Sequence, residues 1–184
     1  KIRKIIKDTG YVPNRSAASL RTGRTHVIGL IVEDISNTFF AHMAKCVEDF
    51  ACQAGYRVVY CSTENNAAKG TELIRMLYKQ VDGFIITPAS GMRDEVLKLM
   101  KNKKPVVLLD RYFPDIKIPG VLVNNRTGVY NGVDLLVANE YRNIAFIINS
   151  LEHSHMTERL NAFVERTRHH SLYDNSLVLK LPFS

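Results

Sequence analysis

The sequence lacks the long apolar segments that define membrane proteins and the short motifs that define many enzymes. None of its apolar runs approaches the roughly 18–20 residues that cross a bilayer, and no signal-peptide pattern opens the chain. Residues 33–37 (EDISN), which follow the first long apolar run, contain no glycine-rich loop to cradle the phosphates of a dinucleotide or nucleoside triphosphate. The Gly-x-Ser-x-Gly and His-Glu-x-x-His signatures of common hydrolases are absent as well. The sequence therefore gives no support to a membrane-bound, secreted or nucleotide-dependent protein.

Cysteine is scarce, and its three copies do not form a recognisable framework. They are Cys46, Cys52 and Cys61. Their number is odd, none stands in Cys-x-x-Cys spacing, and each lies in an apolar stretch. They are typical of reduced core thiols in a cytoplasmic protein.

Histidine is also too sparsely arranged to predict a metal centre. The two close pairs are His153 with His155 and His169 with His170. Metal pairs on a helix prefer spacings of three or four, and no cysteine or acidic residue stands at a fixed distance from either pair. We therefore predict no metal and no cofactor.

Positive charge is concentrated at one end of the chain. Residues 1–25 hold seven Lys or Arg against one Asp, a net +6, whereas the whole chain carries only +7. Residues 26–184 are therefore close to neutral. This asymmetry predicts a basic arm that binds a polyanion, joined to a body with a different task.

The body alternates short apolar runs with helical patterns. The predicted strands are Val27–Val32, 57–61, 83–87, 106–110, 121–124, 144–148 and 177–181, and the predicted helices lie near 38–54, 68–79, 92–102, 127–138 and 155–168. In the first helix the apolar residues at helical spacing are Phe39, Met43, Cys46, Val47 and Phe50. The runs are continuously apolar, as strands buried on both faces should be, so the pattern predicts an α/β fold with a doubly wound parallel sheet.

Polar residues follow these strands, at the edge where such sheets bind ligands. They are Glu33, Asp34, Ser36, Asn37, Ser62, Thr63, Thr87, Asp110, Arg111, Asn124 and Asn125. Together with Phe39 and Phe40 they suit a polyhydroxylated or planar polar ligand. The alternative is that they are only helix caps and turns, which the same residue types favour.

Within the basic arm, residues 1–9 are predicted as a helix ended by Gly10, and residues 14–22 as a second short helix. The second is too short to be stable alone in water, so it needs a surface on which to fold. Its alanines allow close approach, its arginines suit the negative minor groove of DNA, and Leu20 can wedge between base steps. The alternative is a basic linker whose Leu20 packs on the body.

Several segments of the chain resemble the lactose/galactose repressor (LacI/GalR) family of bacterial transcription regulators, in order and in spacing. They are 10–14 (GYVPN), 18–25 (ASLRTGRT), 28–40 (IGLIVEDISNTFF), 55–56 (GY), 81–86 (VDGFII), 110–111 (DR), 143–147 (NIAFI) and 158–160 (ERL). The resemblance covers essentially the whole chain. It implies a homodimer with a helix-turn-helix headpiece, a hinge helix and a two-lobed domain like that of periplasmic binding proteins.

The resemblance also implies a division of the chain. Residues 1–12 would be the last headpiece helix, 13–25 the hinge, 26–140 the first lobe and 141–184 the start of the second lobe. The helix-turn-helix pair would precede Lys1, and the second lobe would continue past Ser184.

The implied site residues fall into two groups. The DNA-binding group is Asn14, Arg15, Ser16, Ala18, Leu20 and Arg21. The effector-binding group is Asp34, Asn37, Phe39, Phe40, Asp110, Arg111 and Arg159.

We therefore expect a cytoplasmic, non-enzymatic transcription regulator, a repressor. Its expected partners are double-stranded operator DNA, a second copy of itself and a small-molecule effector, a sugar or related metabolite, that shifts the lobes and changes operator affinity. One alternative is a sugar-binding protein of the same fold without a DNA role. Another is a small α/β enzyme that uses Glu33, Asp34 or Asp110 as acid or base. The sequence leaves the effector open, because Phe39 and Phe40 suit a sugar ring and a purine equally.

Overall fold

The computed structural model describes residues 22–150 and 153–182, which form a five-stranded sheet with helices and a second, smaller unit. The strands are β1 (Val27–Val32), β2 (Arg57–Ser62), β3 (Gly83–Ile86), β4 (Val106–Leu109), β5 (Gly120–Val121), β6 (Phe146–Asn149) and β7 (Val178–Leu181). The helices are α1 (Thr38–Gln53), α2 (Ala67–Leu77), α3 (Arg93–Lys101), α4 (Asn125–Ala138) and α5 (Ser154–His169), with 3₁₀ turns at Ser90–Met92 and Asn175–Leu177. Among these residues, no helix has both the length and the apolar character that crossing a bilayer requires.

The larger sheet is entirely parallel, with strand order β2-β1-β3-β4-β5. The carboxyl ends of all five strands therefore lie along one edge, and the reversal of strand order at β1 opens a crevice there. The predicted doubly wound parallel sheet is confirmed.

The sheet is buried on both faces because the side chains of its central strand alternate. Leu30 and Val32 of β1 pack with Phe40 and Ala44 of α1 on one face. Ile31 points to the other face, where it packs with side chains of α2 and α3. This double burial explains the continuously apolar run of β1.

The predicted apolar stripe of α1 was wrong in part. Phe39, Cys46 and Phe50 are exposed, and Phe50 retains 74% of its accessible surface. The side chains that α1 buries are Phe40, Ala44 and Ala51. Two apolar stripes run side by side along this helix, and periodicity alone does not tell which of them faces the sheet.

The expectation of core thiols was also wrong. Cys46 and Cys52 lie on the exposed part of α1, while Cys61 is half-buried on the edge strand β2. Burial raises the pKa of the Cys61 thiol. All three are free cysteines, as expected of reduced thiols.

The strand predicted at 121–124 is shorter than expected. Only Gly120–Val121 pairs with β4, and the chain then leaves the sheet. The backbone N–H of Asn125 donates to the carbonyl of Val123 at 2.9 Å, and the Asn124 side chain accepts from the N–H of Thr127 at 3.0 Å. Helix α4 therefore begins where the strand was predicted to end.

The smaller unit has its own apolar core. Val133 of α4, Ile144 and Phe163 of α5 pack together, and the rings of Phe163 and Phe146 stack with centroids 4.6 Å apart. Helix α4 thus packs with α5 and the β6–β7 pair. We propose that the boundary between the lobes lies just before α4 rather than at residue 140.

The basic arm joins the larger sheet at a fixed point. Asp82 accepts hydrogen bonds from the backbone N–H of Thr25 (2.7 Å), the Thr25 hydroxyl (2.8 Å) and the backbone N–H of His26 (3.0 Å). The position where the arm leaves the body is therefore set by a carboxylate that precedes β3. The predicted helix at 1–9 and nearly all of the one at 14–22 lie outside the described residues.

Candidate ligand-binding cleft

A cleft of about 650 Å³ separates the carboxyl edge of the sheet from α5. Its walls include Pro88, Ser90, Arg111 and Tyr112 on the sheet side, and His153, Ser154 and Glu158 on the α5 side. This volume is within the range of small-molecule sites, which are usually concave and placed at such edges.

Arg111 is the charged centre of the cleft. Its guanidinium donates from Nη2 to Glu33 Oε2 and from Nη1 to Asn65 Oδ1, the latter at 3.3 Å. The two charged side chains are only 7% and 15% exposed. A buried ion pair contributes little net stability, because desolvation of the charges offsets their attraction. The pair therefore serves better as a rigid floor than as a source of stability.

Asp110 stands before Arg111 in a strained backbone turn. Its φ is +64°, and the N–H of Arg111 donates to the carbonyl of Leu109 at 2.7 Å, which closes a γ-turn of the rare positive-φ type. Burial raises the pKa of the Asp110 carboxyl, while nearby Arg111 and Arg159 oppose that shift. Strain of this kind clusters at functional sites.

A network of hydrogen bonds ties α5 to the sheet side of the cleft. The phenol of Tyr112 donates to Glu158 Oε1 at 2.6 Å, and Asn125 Nδ2 donates to Glu158 Oε2 at 3.1 Å. Asn125 Oδ1 in turn accepts from Arg159 Nε at 2.7 Å, and the N–H of Tyr112 donates to Ser154 Oγ at 3.3 Å. The bond to Glu158 raises the pKa of Tyr112. Both oxygens of Glu158 are thus engaged.

Two buried histidines stand at the start of α5. The rings of His153 and His155 are nearly parallel, with centroids 5.6 Å apart, and the side chains are 5% and 6% exposed. His153 Nδ1 lies 3.2 Å from Ser90 Oγ on the opposite wall. Burial, and then the charge of Arg111, lower the pKa of each imidazole to about 4. Both rings are therefore uncharged at neutral pH.

Four buried polar atoms of the described residues have no hydrogen-bond partner, and all four lie in or beside this cleft. They are Thr87 Oγ1, Arg111 Nε, His153 Nε2 and His155 Nδ1. An unpaired buried polar group costs about 1–3 kcal/mol, and such groups are rare in folded proteins. Their concentration in one place is the arrangement expected of a site that hydrogen-bonds a ligand.

Three of the predicted effector residues come together here. Arg111 lines the cleft, Asp110 precedes it, and Arg159 binds Asn125 close enough to influence the pKa of Asp110. These residues are far apart in sequence, and the parallel topology brings them to one edge.

The other predicted effector residues have local structural tasks. Asp34 accepts from the N–H and the hydroxyl of Ser36, both at 2.8 Å, and these bonds lower its pKa. Asn37 caps α1 by accepting from the N–H of Phe39 at 2.9 Å. The ring of Phe39 is 44% exposed, whereas Phe40 is buried in the core. The helix-cap alternative therefore describes Asp34 and Asn37.

Sequence reasoning missed several residues of the cleft. They are Ser90, Tyr112, His153, His155 and Glu158. The histidines were weighed only as metal ligands. Among the described residues, no group of three His, Cys, Asp or Glu side chains is arranged to hold a metal ion. The one signal that pointed here was the 158–160 segment (ERL), whose glutamate was not singled out.

The six predicted DNA-binding residues lie outside the described part of the chain. They are Asn14, Arg15, Ser16, Ala18, Leu20 and Arg21. Their assignment stays a prediction.

The parallel sheet, the second unit reached through α4 and the cleft between them define a domain of the periplasmic-binding-protein type. A family model described as periplasmic binding proteins and sugar binding domain of LacI family matches residues 25–180. The chain belongs to the LacI family.

Relatives and solved structures agree with this membership. The chain is 36% identical to the HTH-type transcriptional regulator RegA of Clostridium saccharobutylicum, over 80% of this chain and 45% of RegA. It is 33% identical to catabolite control protein A of Priestia megaterium, over 83% of this chain and 46% of that protein. The crystal structure of the transcription regulator CcpA of Lactococcus lactis superposes with a TM-score of 0.76 at 26% identity, covering 86% of this chain and 59% of that one. The chain spans about half the length of the curated relatives that it matches.

Proposed function

We propose that this chain is the hinge and effector-binding part of a transcription regulator, a repressor, whose affinity for operator DNA depends on a small molecule in the cleft. The observation that carries the proposal is the group of unpaired buried polar atoms around Arg111 and His153, in a chain of the LacI family. Relatives named as transcriptional regulators support the DNA-linked part.

The charges of the cleft favour an uncharged ligand. Arg111 is paired with Glu33, and Glu158 and Asp110 lie near Arg159 and Arg111. Because the carboxylates offset both arginines, no surplus positive charge remains to hold an anion. Hydroxyl groups can both donate and accept, so a sugar suits these walls. We keep Asp110, Arg111 and Arg159 as effector residues, with the exposed ring of Phe39 at the margin.

The basic arm is the proposed DNA contact. Its net +6 suits the phosphate backbone, and Leu20 and Arg21 suit a minor-groove wedge with a cationic neighbour. The hydrogen bonds from Thr25 and His26 to Asp82 support a mechanical link between this arm and the lobe that carries the cleft. The proposal includes a cytoplasmic location, where operator DNA lies.

The outward part of α1 and the edge strand β2 support a homodimer. Phe39, Phe50, Val59 and Tyr60 are exposed there, between 36% and 74%. An open edge strand beside exposed aromatic rings invites association, and monomers rarely leave such surfaces uncovered. We propose this α1–β2 face as the contact between two copies.

We also propose that the chain is not an enzyme. The carboxylates suggested as acid or base are engaged in structure: Glu33 accepts from Arg111, and Asp34 accepts from Ser36. Asp110 lies buried beside Arg111 in a strained turn. None of these observations offers a nucleophile beside a base.

A direct experiment is a fluorescence-anisotropy titration of operator DNA with the full-length protein, with and without uncharged sugars. A sugar that changes the operator affinity supports the proposal, whichever the direction of the change. Sugar binding without any DNA binding would instead support the alternative, a sugar-binding protein of the same fold.

A further inference from the structure

The walls of the cleft present unpaired nitrogens from two different elements. His153 at the start of α5 and Arg111 after β4 both line the cleft, and each has one buried nitrogen without a partner among the described residues, Nε2 and Nε respectively. Thr87 Oγ1 and His155 Nδ1 are unpaired beside them. A molecule bound here would supply the missing partners.

The hydrogen-bonding capacity of His153 is restricted by its surroundings. Its Nδ1 is already 3.2 Å from Ser90 Oγ, so Nε2 is the atom left for a ligand. The ring of His155 stacks against it at 5.6 Å and limits its orientation. Nε2 therefore faces the ligand as a donor or as an acceptor, according to the tautomer.

Both rings are held in the uncharged form by the groups around them. The charged and titratable groups that face His153 are Arg111, His155, Glu33 and Asp110. Those that face His155 are Arg111, Arg159, Glu33 and Glu158. Burial and the arginine charges outweigh the carboxylates, so each pKa falls to about 4. An anionic ligand would reverse this balance, because it would favour protonation of the rings.

We propose that His153 is the residue by which the cleft selects an uncharged, hydroxyl-bearing ligand, with His155 as the positioning residue stacked behind it. The inference deepens the proposed function and rests on the cleft being the effector site. A hydroxyl serves either tautomer of His153, and its oxygen accepts from Arg111 Nε. A carboxylate or phosphate only accepts, and it brings a charge that the Glu33–Arg111 pair does not offset.

The test measures ligand affinity by calorimetry on the full-length protein. The uncharged probes are D-ribose, D-glucose and D-galactose, and the charged probes are D-gluconate and glucose 6-phosphate. With the uncharged sugar that binds best, His153→Phe should weaken binding about tenfold, the effect of one lost hydrogen bond. His153→Gln, which restores a hydrogen-bonding group, should recover part of that loss. His42→Phe, on the exposed surface of α1, is the matched control and should change nothing.

A second measurement does not depend on how the variants fold. The ¹⁵N resonances of the imidazole rings in the unmodified protein report protonation and tautomer directly. Addition of the bound sugar should shift the Nε2 resonance of His153 and leave that of His42 unchanged. The affinity for the uncharged sugar should also stay within about twofold between pH 8 and pH 6, because the rings are uncharged throughout. His155→Phe should alter the tautomer balance of His153, which a merely space-filling role would leave unchanged.

The outcomes separate this inference from the proposed function. Binding of an uncharged sugar with the same affinity in His153→Phe would overturn the inference and leave the effector site standing. Binding of only the charged probes, with affinity that rises as pH falls, would do the same. If no probe binds and none alters operator affinity, the inference and the proposed effector function both fail.

Discussion

The phenol of Tyr112, just after β4, donates a 2.6 Å hydrogen bond to Glu158 on α5 and so joins the two sides of the cleft. This bond connects residues 46 positions apart and depends on both lobes being in contact. In the proposed mechanism, a ligand that favours this arrangement stabilises the closed lobes, and the arm anchored at Asp82 responds.

Tyr112→Phe removes this bond and keeps the ring. We expect sugar affinity to fall several-fold and the free energy of unfolding to fall by about 1 kcal/mol, because Glu158 keeps only Asn125 as a partner. Calorimetry and urea unfolding measure the two quantities. Tyr141→Phe, at a ring that is 59% exposed, is the control. Equal loss in both variants would mean that Tyr112 has no special role between the lobes.

The Glu33–Arg111 pair should be costly to break and much less costly to replace as a whole. Glu33→Gln leaves the Arg111 guanidinium buried without its carboxylate, and we expect a loss of about 3–5 kcal/mol in urea unfolding. The double variant Glu33→Gln/Arg111→Gln should lose less than the sum of the two single variants, since no unpaired charge remains. Arg93→Gln, which breaks the exposed pair with Asp115, is the control and should leave stability unchanged. Strict additivity of the two buried substitutions would contradict the pairing.

The two buried histidines predict acid sensitivity. Their pKa values are about 4 in the folded protein, against an ordinary value of 6.5. The unfolded chain therefore binds more protons between these limits, so stability is complete above pH 6.5 and is lost as the pH falls towards 4. The loss is about 1.4 kcal/mol per pH unit for each histidine at most.

Urea unfolding at pH 7.0, 6.0 and 5.0 checks this slope. His153→Phe/His155→Phe should show a shallower decline than the unmodified protein, and His42→Phe should show the same decline. Parallel pH profiles for the unmodified and doubly substituted proteins would show that the two rings are not held uncharged by the fold.

The exposed α1–β2 face predicts a single substitution that separates the copies. Phe50 is 74% exposed, and Phe50→Glu places a charge on that face without disturbing the core. Sedimentation equilibrium should show a dimer for the unmodified protein and a monomer, or a much weaker dimer, for the variant. Leu135→Glu, at the similarly exposed Leu135 of α4, is the matched control. A Phe50→Glu protein that remains dimeric would exclude this face as the main contact.

The fold was largely predictable from local pattern, and its exceptions have physical causes. β1 agrees at both ends, because a run buried on both faces is continuously apolar. β5 ended early because Asn124 caps the next helix, and a cap and a strand residue compete for the same positions. The buried face of α1 was misassigned since two apolar stripes adjoin and only tertiary packing chooses between them.

The site was less predictable than the fold. Asp110, Arg111 and Arg159 were found because strand ends and family motifs mark them. His153 and Ser90 meet across 63 residues, and nothing in their local sequence indicates that contact. Asp34 and Asn37 illustrate the opposite error, since capping and ligand binding favour the same residue types.

The central claim is that a sugar in the cleft alters operator affinity through the basic arm. It is tested most directly by anisotropy titration of a labelled operator duplex with the full-length protein, with and without the uncharged sugar that binds best. We predict that the sugar changes the affinity of the unmodified protein at least tenfold, and that log K falls with log salt by about 0.9 per neutralised phosphate. Leu20→Ala should weaken operator binding while leaving sugar affinity intact. An operator affinity that is the same with and without bound sugar would contradict the account.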